Sequence, residues 1–409
     1  MNFYKVGGAV RDRLLGRAQS DRDWVVVGAT PSALQALGYR QVGRDFPVFL
    51  HPETHEEYAL ARTERKHGVG YRGFEFDTAA SVTLEEDLAR RDLTINAIAE
   101  DEHGNLIDPY GGQRDLALRC LRHITPAFAE DPLRVLRVAR FAARFDYTVA
   151  PETLELMRNL ASSGELTTLA PERIWRELER ALGEPYPQRF IEVLRASGAL
   201  QALFPEVDAL FGIPQPPQHH PEIDTGIHLL LVLSESARRE APLAVRFALL
   251  THDLGKALTP PALLPKHHGH EERSAVLARE LCARLRVPTD IRDLAILVAR
   301  YHVTIHRAQE LKASTIVDLL AALDAFRRPA RLNDILLACE IDAIGRGDAR
   351  PKPYPPAAHV RQAFQAMQRI DAQAVVAKAS DPRAALRAAR IAAVSAEWRA
   401  RKAESRPLG

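Results

Sequence analysis

Val6-Gly7-Gly8-Ala9-Val10-Arg11-Asp12 and, a few residues on, Ser20-Asp21-Arg22-Asp23-Trp24-Val25-Val26-Val27 decide how the first part of this chain folds. The first stretch puts two glycines between a short apolar run and a predicted helix. Backbone N–H groups at such a turn approach a phosphate closely, and the amino end of the helix adds partial positive charge. A purely structural turn would use the same two glycines. In the second stretch Asp21 and Asp23 open an apolar strand at i and i+2, so alternation places both carboxylates on one face. Like charges that close are unfavourable without a cation between them, and hard oxygen ligands at this spacing suit Mg²⁺ bridging nucleotide phosphates. A solvated turn before a strand is the plainer alternative. Glu57, in Glu56-Glu57-Tyr58-Ala59-Leu60-Ala61, is a candidate third carboxylate on a neighbouring strand.

Further apolar runs at Val48 to Leu50 and Tyr58 to Ala61, separated by turn residues, extend this to a mixed α/β head with a small sheet over residues 1–130. The texture then changes. Asp131-Pro132-Leu133-Arg134 begins long helical periodicity, with Asp131 placed to cap a helix and Pro132 suited to its first position. Nearly everything after it is predicted helical, so the fold class is α+β with an all-α body. Two Pro-rich breaks, Pro214 to Pro221 and Pro351 to Pro356, mark domain edges. Residues 331–409 hold 14 basic against 8 acidic residues, a local surplus of 14 − 8 = +6.

The totals bound the function. At about 100 to 200 residues per domain, 409 residues make roughly two to four domains. Lys+Arg 55 against Asp+Glu 53 gives +2, which excludes a uniformly basic coat, so any polyanion must meet a local patch. Three scattered cysteines form no disulfide framework or zinc spacing, and no apolar run approaches a membrane span or a secretory core. A cytoplasmic, non-membrane protein is expected. Nine of fifteen histidines fall within residues 219–306, which suggests metal or phosphate chemistry there.

Taken together, GGAVRD with DRD, RRDLTINA (Arg90 to Ala97), IDPYGG (Ile107 to Gly112) and EDPLRVLRVARF (Glu130 to Phe141) resemble the class II tRNA nucleotidyltransferases, the bacterial CCA-adding enzymes of the polymerase-β-like superfamily. Five motifs in order are far more specific than one. Leu93 departs from a common Phe and Arg22 from an apolar residue, neither removing a charge the chemistry needs. The resemblance implies that Asp21 and Asp23 hold two Mg²⁺ ions, that Gly8 and Arg11 hold the incoming triphosphate, and that Arg91 and Asp92 contact its sugar and phosphate. It also implies that Asp131 and Arg134 select the base by imitating a pairing edge, leaving Arg137 and Arg140 for phosphate or sugar. A capping Asp131 with arginines in solvent is the alternative. The Gly- and charge-rich stretch Arg62 to Thr78 reads as a mobile loop beside the site.

His228, His252-Asp253, His270 and His302 fit the ligand order of an HD-type phosphohydrolase domain, in which a downstream Asp, Asp342 or else Asp334, completes a divalent-metal site. His252 and Asp253 would be catalytic. His219, His220, His267, His268 and His306 are left as outer or exposed groups. The implied division is 1–130 head, 131–213 neck and body, 222–330 HD domain and 331–409 tail. By resemblance, the HD domain would use Ni²⁺ or another divalent ion and act as a 2′,3′-cyclic phosphodiesterase, 2′-nucleotidase and phosphatase. The expected partners are tRNA, CTP and ATP, with the protein a monomer or homodimer. Arg383, Arg387, Arg390, Arg399, Arg401 and Lys402 would grip the tRNA body, unless they are a solvated helix face. Two rivals stay open: a poly(A) polymerase of the same superfamily, and a metal-dependent nucleotide phosphohydrolase with a non-catalytic head.

Overall fold

A computed structural model describes residues 1–18, 22–42, 48–66, 74–218, 221–346, 353–377 and 379–404, and the chain forms two compact units, Met1–Phe204 and Pro205–Gly409. The fold is α+β as expected, and among the described residues all strands lie in the first unit.

The first unit begins with β1 (Asn2–Val6), β2 (Asp23–Val27), β3 (Arg40–Val42), β4 (Val48–Leu50) and β5 (Glu57–Leu60). They lie in a seven-stranded sheet ordered β3-β4-β5-β2-β1, extended beyond β1 by Ala99–Glu100 and Leu106–Ile107. Alternation sends Val25 to a core with Val6, Leu88 and Ala97 on one face, and Val26 to a core with Leu34, Phe49 and Leu60 on the other. β1 and β2 are antiparallel with Val6 opposite Asp23, whereas β2 and β5 are parallel with Asp23 beside Glu57. Register alone therefore brings the Gly7-Gly8 turn and two carboxylates to one end of the sheet.

Two local expectations change. The stretch expected as a loop contains Thr63–Lys66 paired antiparallel with Phe74–Asp77, so much of it is a β-ribbon; residues 67–73 lie outside the described residues. The neck helix runs Leu133–Phe145, with Pro132 at its N-cap and Asp131 extended before it. Asp131 still serves the helix start, because its Oδ1 accepts from Leu133 N at 3.1 Å. Helices Pro171–Gly183 and Pro187–Ala196 pack on this one, each opened by a proline whose missing N–H costs nothing in the first turn.

The second unit is helical. Helices Thr225–Arg238, Leu243–Thr251, His270–Leu285, Thr289–His306 and Pro329–Ile344 pack together, and Pro355–Gln368, Ala372–Ala377 and Pro382–Glu404 follow. Residues 205–213, grouped with the neck in the sequence division, belong to this unit. The physical reason is local: Thr225 Oγ1 donates to Leu210 O, and Gly226 sits so close to the Phe211 ring that a Cβ would collide with it. Among the described residues no helix is long and apolar enough to cross a membrane.

Candidate nucleotide pocket and candidate metal centre

A pocket of about 410 Å³ in the first unit is lined by Gly7, Gly8, Arg11, Asp23, Arg91, Asp92, Asp131, Arg134, Arg137 and Arg140. Every nucleotide-binding residue expected from sequence is there, together with Arg90, Asn96, Phe141 and Arg144. Asp21 lies outside the described residues. Asp23 is exposed at the start of β2, with Glu57 as its register partner on a parallel strand, so the two side chains share a face. Paired exposed carboxylates at one sheet end are a donor set that suits Mg²⁺.

The glycine requirement sits at Gly7. Its φ is +68°, and a Cβ there would lie 2.9 Å from Arg91 Nη1. A Cβ at Gly8 would meet only Arg11 Nη2 at 3.5 Å, an ordinary contact, so the protein's own packing does not demand glycine at that position. The helix that follows has only seven residues, Gly8–Leu14. Its dipole is correspondingly small, and the pocket's positive potential comes from guanidinium groups.

Those groups are held rather than loose. Arg11 is buried; it donates to Asp12 Oδ1 at 2.9 Å and to Asn96 Oδ1, while Arg144 reaches Asp12 Oδ2 at 2.8 Å. Burial lowers the Arg11 pKa, with Asp12 opposing the shift. Asp87, wholly buried, anchors Arg90 and Arg91 at 2.7 and 3.1 Å. Burial would raise its carboxyl, but the two guanidinium groups outweigh burial and lower it.

The expected ladder of arginines on the neck helix has partners at every rung. Arg134 donates to Ala127 O at 3.0 Å and to Arg90 O at 2.6 Å. Arg137 Nε meets Asp92 Oδ2 at 2.7 Å, and Arg140 Nε meets Glu177 Oε2 at 2.6 Å. A step of three residues turns the helix by about 300°, so successive arginines fan by roughly 60° and reach different neighbours. The alternative in which these arginines lie in solvent does not match these contacts. Asp131 is paired with Arg173 at 3.1 Å. Arg173 and Glu177, one turn apart on Pro171–Gly183, were missed in the sequence; only their i, i+4 spacing hinted at a shared face. Phe141 was missed as well: its ring lies 5.3, 5.6 and 4.7 Å from the guanidinium carbons of Arg11, Arg137 and Arg140.

In the second unit, five helices deliver six ligand-type side chains to one buried point. His228 comes from Thr225–Arg238, His252 and Asp253 from the end of Leu243–Thr251, His270 from the first turn of His270–Leu285, His302 from Thr289–His306 and Asp342 from Pro329–Ile344. They form two groups, His228 with His252 and Asp342, and Asp253 with His270 and His302, each with atoms within 4.8 Å of one another. His252 Nε2 lies 3.2 Å from Asp253 Oδ2 and 3.7 Å from Asp342 Oδ1, linking the groups. Asp342 is thus the aspartate brought to the histidines; Asp334, on the same helix two turns earlier, is in neither group.

His252 Nε2 and Asp253 Oδ1 are buried with no hydrogen bond among the described residues, as expected of atoms shaped to face a cation. Burial alone would lower the His252 pKa, but Asp253 and Asp342 outweigh it and raise it to about 10. Both carboxyls are held well below their usual range against burial, chiefly by the surrounding imidazoles. Four imidazoles and two carboxylates make a donor set that fits one or two divalent transition ions. Gly255 lets the chain turn here, since a Cβ would collide with His270 O and Ser274 N. Lys256, missed in the sequence, is buried with Nζ 2.7 Å from Asp253 Oδ2 and 2.6 Å from Gln215 Oε1.

Of the outer histidines, His267 is structural, bonded to Thr259 Oγ1 and Pro214 O at 2.8 and 3.0 Å, and His268 is exposed. His219 and His220 lie outside the described residues. In the tail, Arg387 is paired with Asp318 at 2.7 Å, Arg401 with Glu397 at 2.8 Å, and Arg390 lies over Phe326 at 4.0 Å.

Residues 3–122 match the family described as Poly A polymerase head domain, 146–211 that described as Probable RNA and SrmB- binding site of polymerase A, and 225–342 the HD domain. The chain is 61% identical to a Multifunctional CCA protein of Nitrosococcus oceani, covering 92% of this chain and 93% of the relative. It is 58% identical to a Multifunctional CCA protein of Thioalkalivibrio sulfidiphilus, covering 97% of this chain and 100% of the relative. Among solved structures, the Bacillus stearothermophilus CCA-adding enzyme in complex with CTP superposes with a TM-score of 0.65 at 25% identity, covering 97% of this chain and 89% of that one.

Proposed function

The chain belongs to the multifunctional CCA proteins, a CCA-adding tRNA nucleotidyltransferase with an HD phosphohydrolase domain, and from that premise we propose how its two centres work. The observation that carries the reading is the arginine-lined pocket beside Asp23. The 3′-oxygen of a tRNA end attacks the α-phosphorus of CTP or ATP; a P–O bond forms to the tRNA, the α–β bridging P–O bond breaks, and pyrophosphate leaves. Asp21 and Asp23, with Glu57 beside Asp23, would hold Mg²⁺, which supplies charge neutralisation and a more acidic 3′-hydroxyl when bound. Arg11 and Arg91 face the triphosphate, and their anchors Asp12 and Asp87 keep them pre-oriented, so little ordering entropy is lost on binding. Asp131 and Arg134 read the base edge, Asp131 accepting from an exocyclic amine while Arg173 fixes its direction. The buried cluster of His228, His252, Asp253, His270, His302 and Asp342 would hold Ni²⁺ or another divalent ion, which would supply a more acidic water for hydrolysis of 2′,3′-cyclic phosphates, 2′-nucleotides and other phosphate esters. In domain terms, 1–130 transfers, the neck and body from 131 to 204 select, the HD segment from 222, extended past 330 to include Asp342, hydrolyses, and the tail beyond it contacts tRNA.

The test uses tRNA lacking its 3′ end, Mg²⁺ and labelled CTP and ATP. Addition of two C and one A residues, abolished in Asp23→Ala, is expected. A long A tail would instead support the poly(A) polymerase alternative, whose head the matched family also describes. With Ni²⁺, hydrolysis of 2′,3′-cAMP is expected to vanish in His252→Ala while nucleotide addition continues. Joint loss of both activities in a folded variant would contradict separate centres.

A further inference from the structure

His306 and Tyr354 belong to neither ligand group, yet they form a chain that ends on a ligand. His306 Nε2 lies 2.6 Å from Asp342 Oδ2, and Tyr354 Oη lies 2.7 Å from His306 Nδ1. The other oxygen of the same carboxylate, Asp342 Oδ1, faces His228 Nε2 at 3.0 Å and His252 Nε2 at 3.7 Å. We propose that Tyr354 and His306 are positioning residues of the hydrolytic centre, holding Asp342 as a one-oxygen ligand, and that the segment opening the carboxyl-terminal helices is therefore a built part of that centre. The proposal rests on reading the cluster as a metal centre.

The directions of the hydrogen bonds follow from the groups. A carboxylate oxygen accepts, so His306 Nε2 donates to Asp342; an imidazolium would also donate from Nδ1 to the Tyr354 oxygen, and in the neutral ring Nδ1 accepts from the Tyr354 hydroxyl. The phenol thereby selects the tautomer that can hold the aspartate. The two rings meet edge to face, with centroids 5.7 Å apart at 81°, which fixes the imidazole plane as well. Tyr354 is itself immobilised, being the N-cap residue of Pro355–Gln368, a helix that packs against both Thr289–His306 and Pro329–Ile344. An aspartate with one oxygen engaged by an imidazole cannot turn to offer both oxygens to an ion.

Co²⁺ titrated into the full-length chain, followed by its ligand-field absorption and by calorimetry, tests this directly, with His252→Ala as the blank for sites elsewhere. Tyr354→Phe keeps the ring and removes the hydroxyl. It is expected to weaken Co²⁺ binding by about tenfold and to shift the absorption band, with the thermal melting profile retained. His306→Ala is expected to lose more, and His306→Gln, whose amide can still donate to Asp342, to recover part of that loss. If the wild-type chain binds no Co²⁺ beyond the His252→Ala blank, the metal-centre reading itself falls. If it binds and both Tyr354→Phe and His306→Ala match it in affinity and spectrum, the positioning role alone is overturned.

Discussion

The Asp92 carboxylate accepts from Leu93 N at 2.9 Å, Asn96 Nδ2 at 2.8 Å and Arg137 Nε at 2.7 Å, and only 6% of the residue is exposed. Burial would raise its pKa, but Arg137 and Asn96 outweigh burial and hold it at about 2, against an ordinary 3.8. A depressed carboxyl stabilises the folded state above its unfolded pKa and loses that contribution as pH falls through the folded value. Stability from this group should therefore be complete above about pH 5 and decline from pH 4 towards pH 2, by about 2 kcal/mol in all. Asp92→Asn should lose about that much in urea unfolding at pH 7 and converge with the parent near pH 2; parallel pH profiles would show that Asp92 is not the titrating group. The sequence marked Asp92 as a pocket residue. What it could not show is that the carboxylate is already saturated by protein donors, because Arg137 lies 45 residues away and meets it only through the packing of the neck helix on the head.

At the scale of elements, the Leu133–Phe145 helix carries the pocket's arginines on an aromatic floor. Phe141 is buried at 4% exposure beneath three guanidinium groups, each of which gains from the ring's negative face. Phe141→Ala should destabilise the protein by about 3 kcal/mol through the cavity alone. It should also raise KM for CTP and ATP more than it lowers kcat, because the arginines lose their support rather than their charge. Phe141→Leu, which restores most of the volume without the ring, separates the two effects: recovery of stability with KM still raised is expected, and recovery of both would assign Phe141 to packing only. The arginine spacing was plain in the sequence, but their partners were not. Arg173 and Glu177 sit 42 and 37 residues from Asp131 and Arg140, and no local periodicity links them.

Across the whole molecule, the formal charge of +2 conceals arginines that are largely spent on internal carboxylates. Arg387 and Arg401 of the tail have such partners, while Arg383 and Arg399 are exposed. If the tail contacts tRNA through phosphates, Arg383→Ala with Arg399→Ala should weaken binding and reduce the log-log salt slope by about 1 to 2, whereas Arg387→Ala should change the slope by less than 1. An unchanged slope in the double variant would place the tRNA path elsewhere.

The division between sequence and tertiary structure is clear at this scale. Motif identity, the α+β class, the strands that open at Asp23 and Glu57, and the order of the HD-type histidines and aspartates are local properties. They depend on residue type and on periods of 2 and 3.6, which a chain displays before it folds. Three features arose only from the tertiary structure: the contact of Asp342, already preferred to Asp334 in the sequence, with His228 and His252, the ion pairs that hold the pocket arginines, and the Tyr354-His306 chain. They depend on which distant segments pack together, and a separation of 114 residues between His228 and Asp342 closes to 3.0 Å only when five helices share one core.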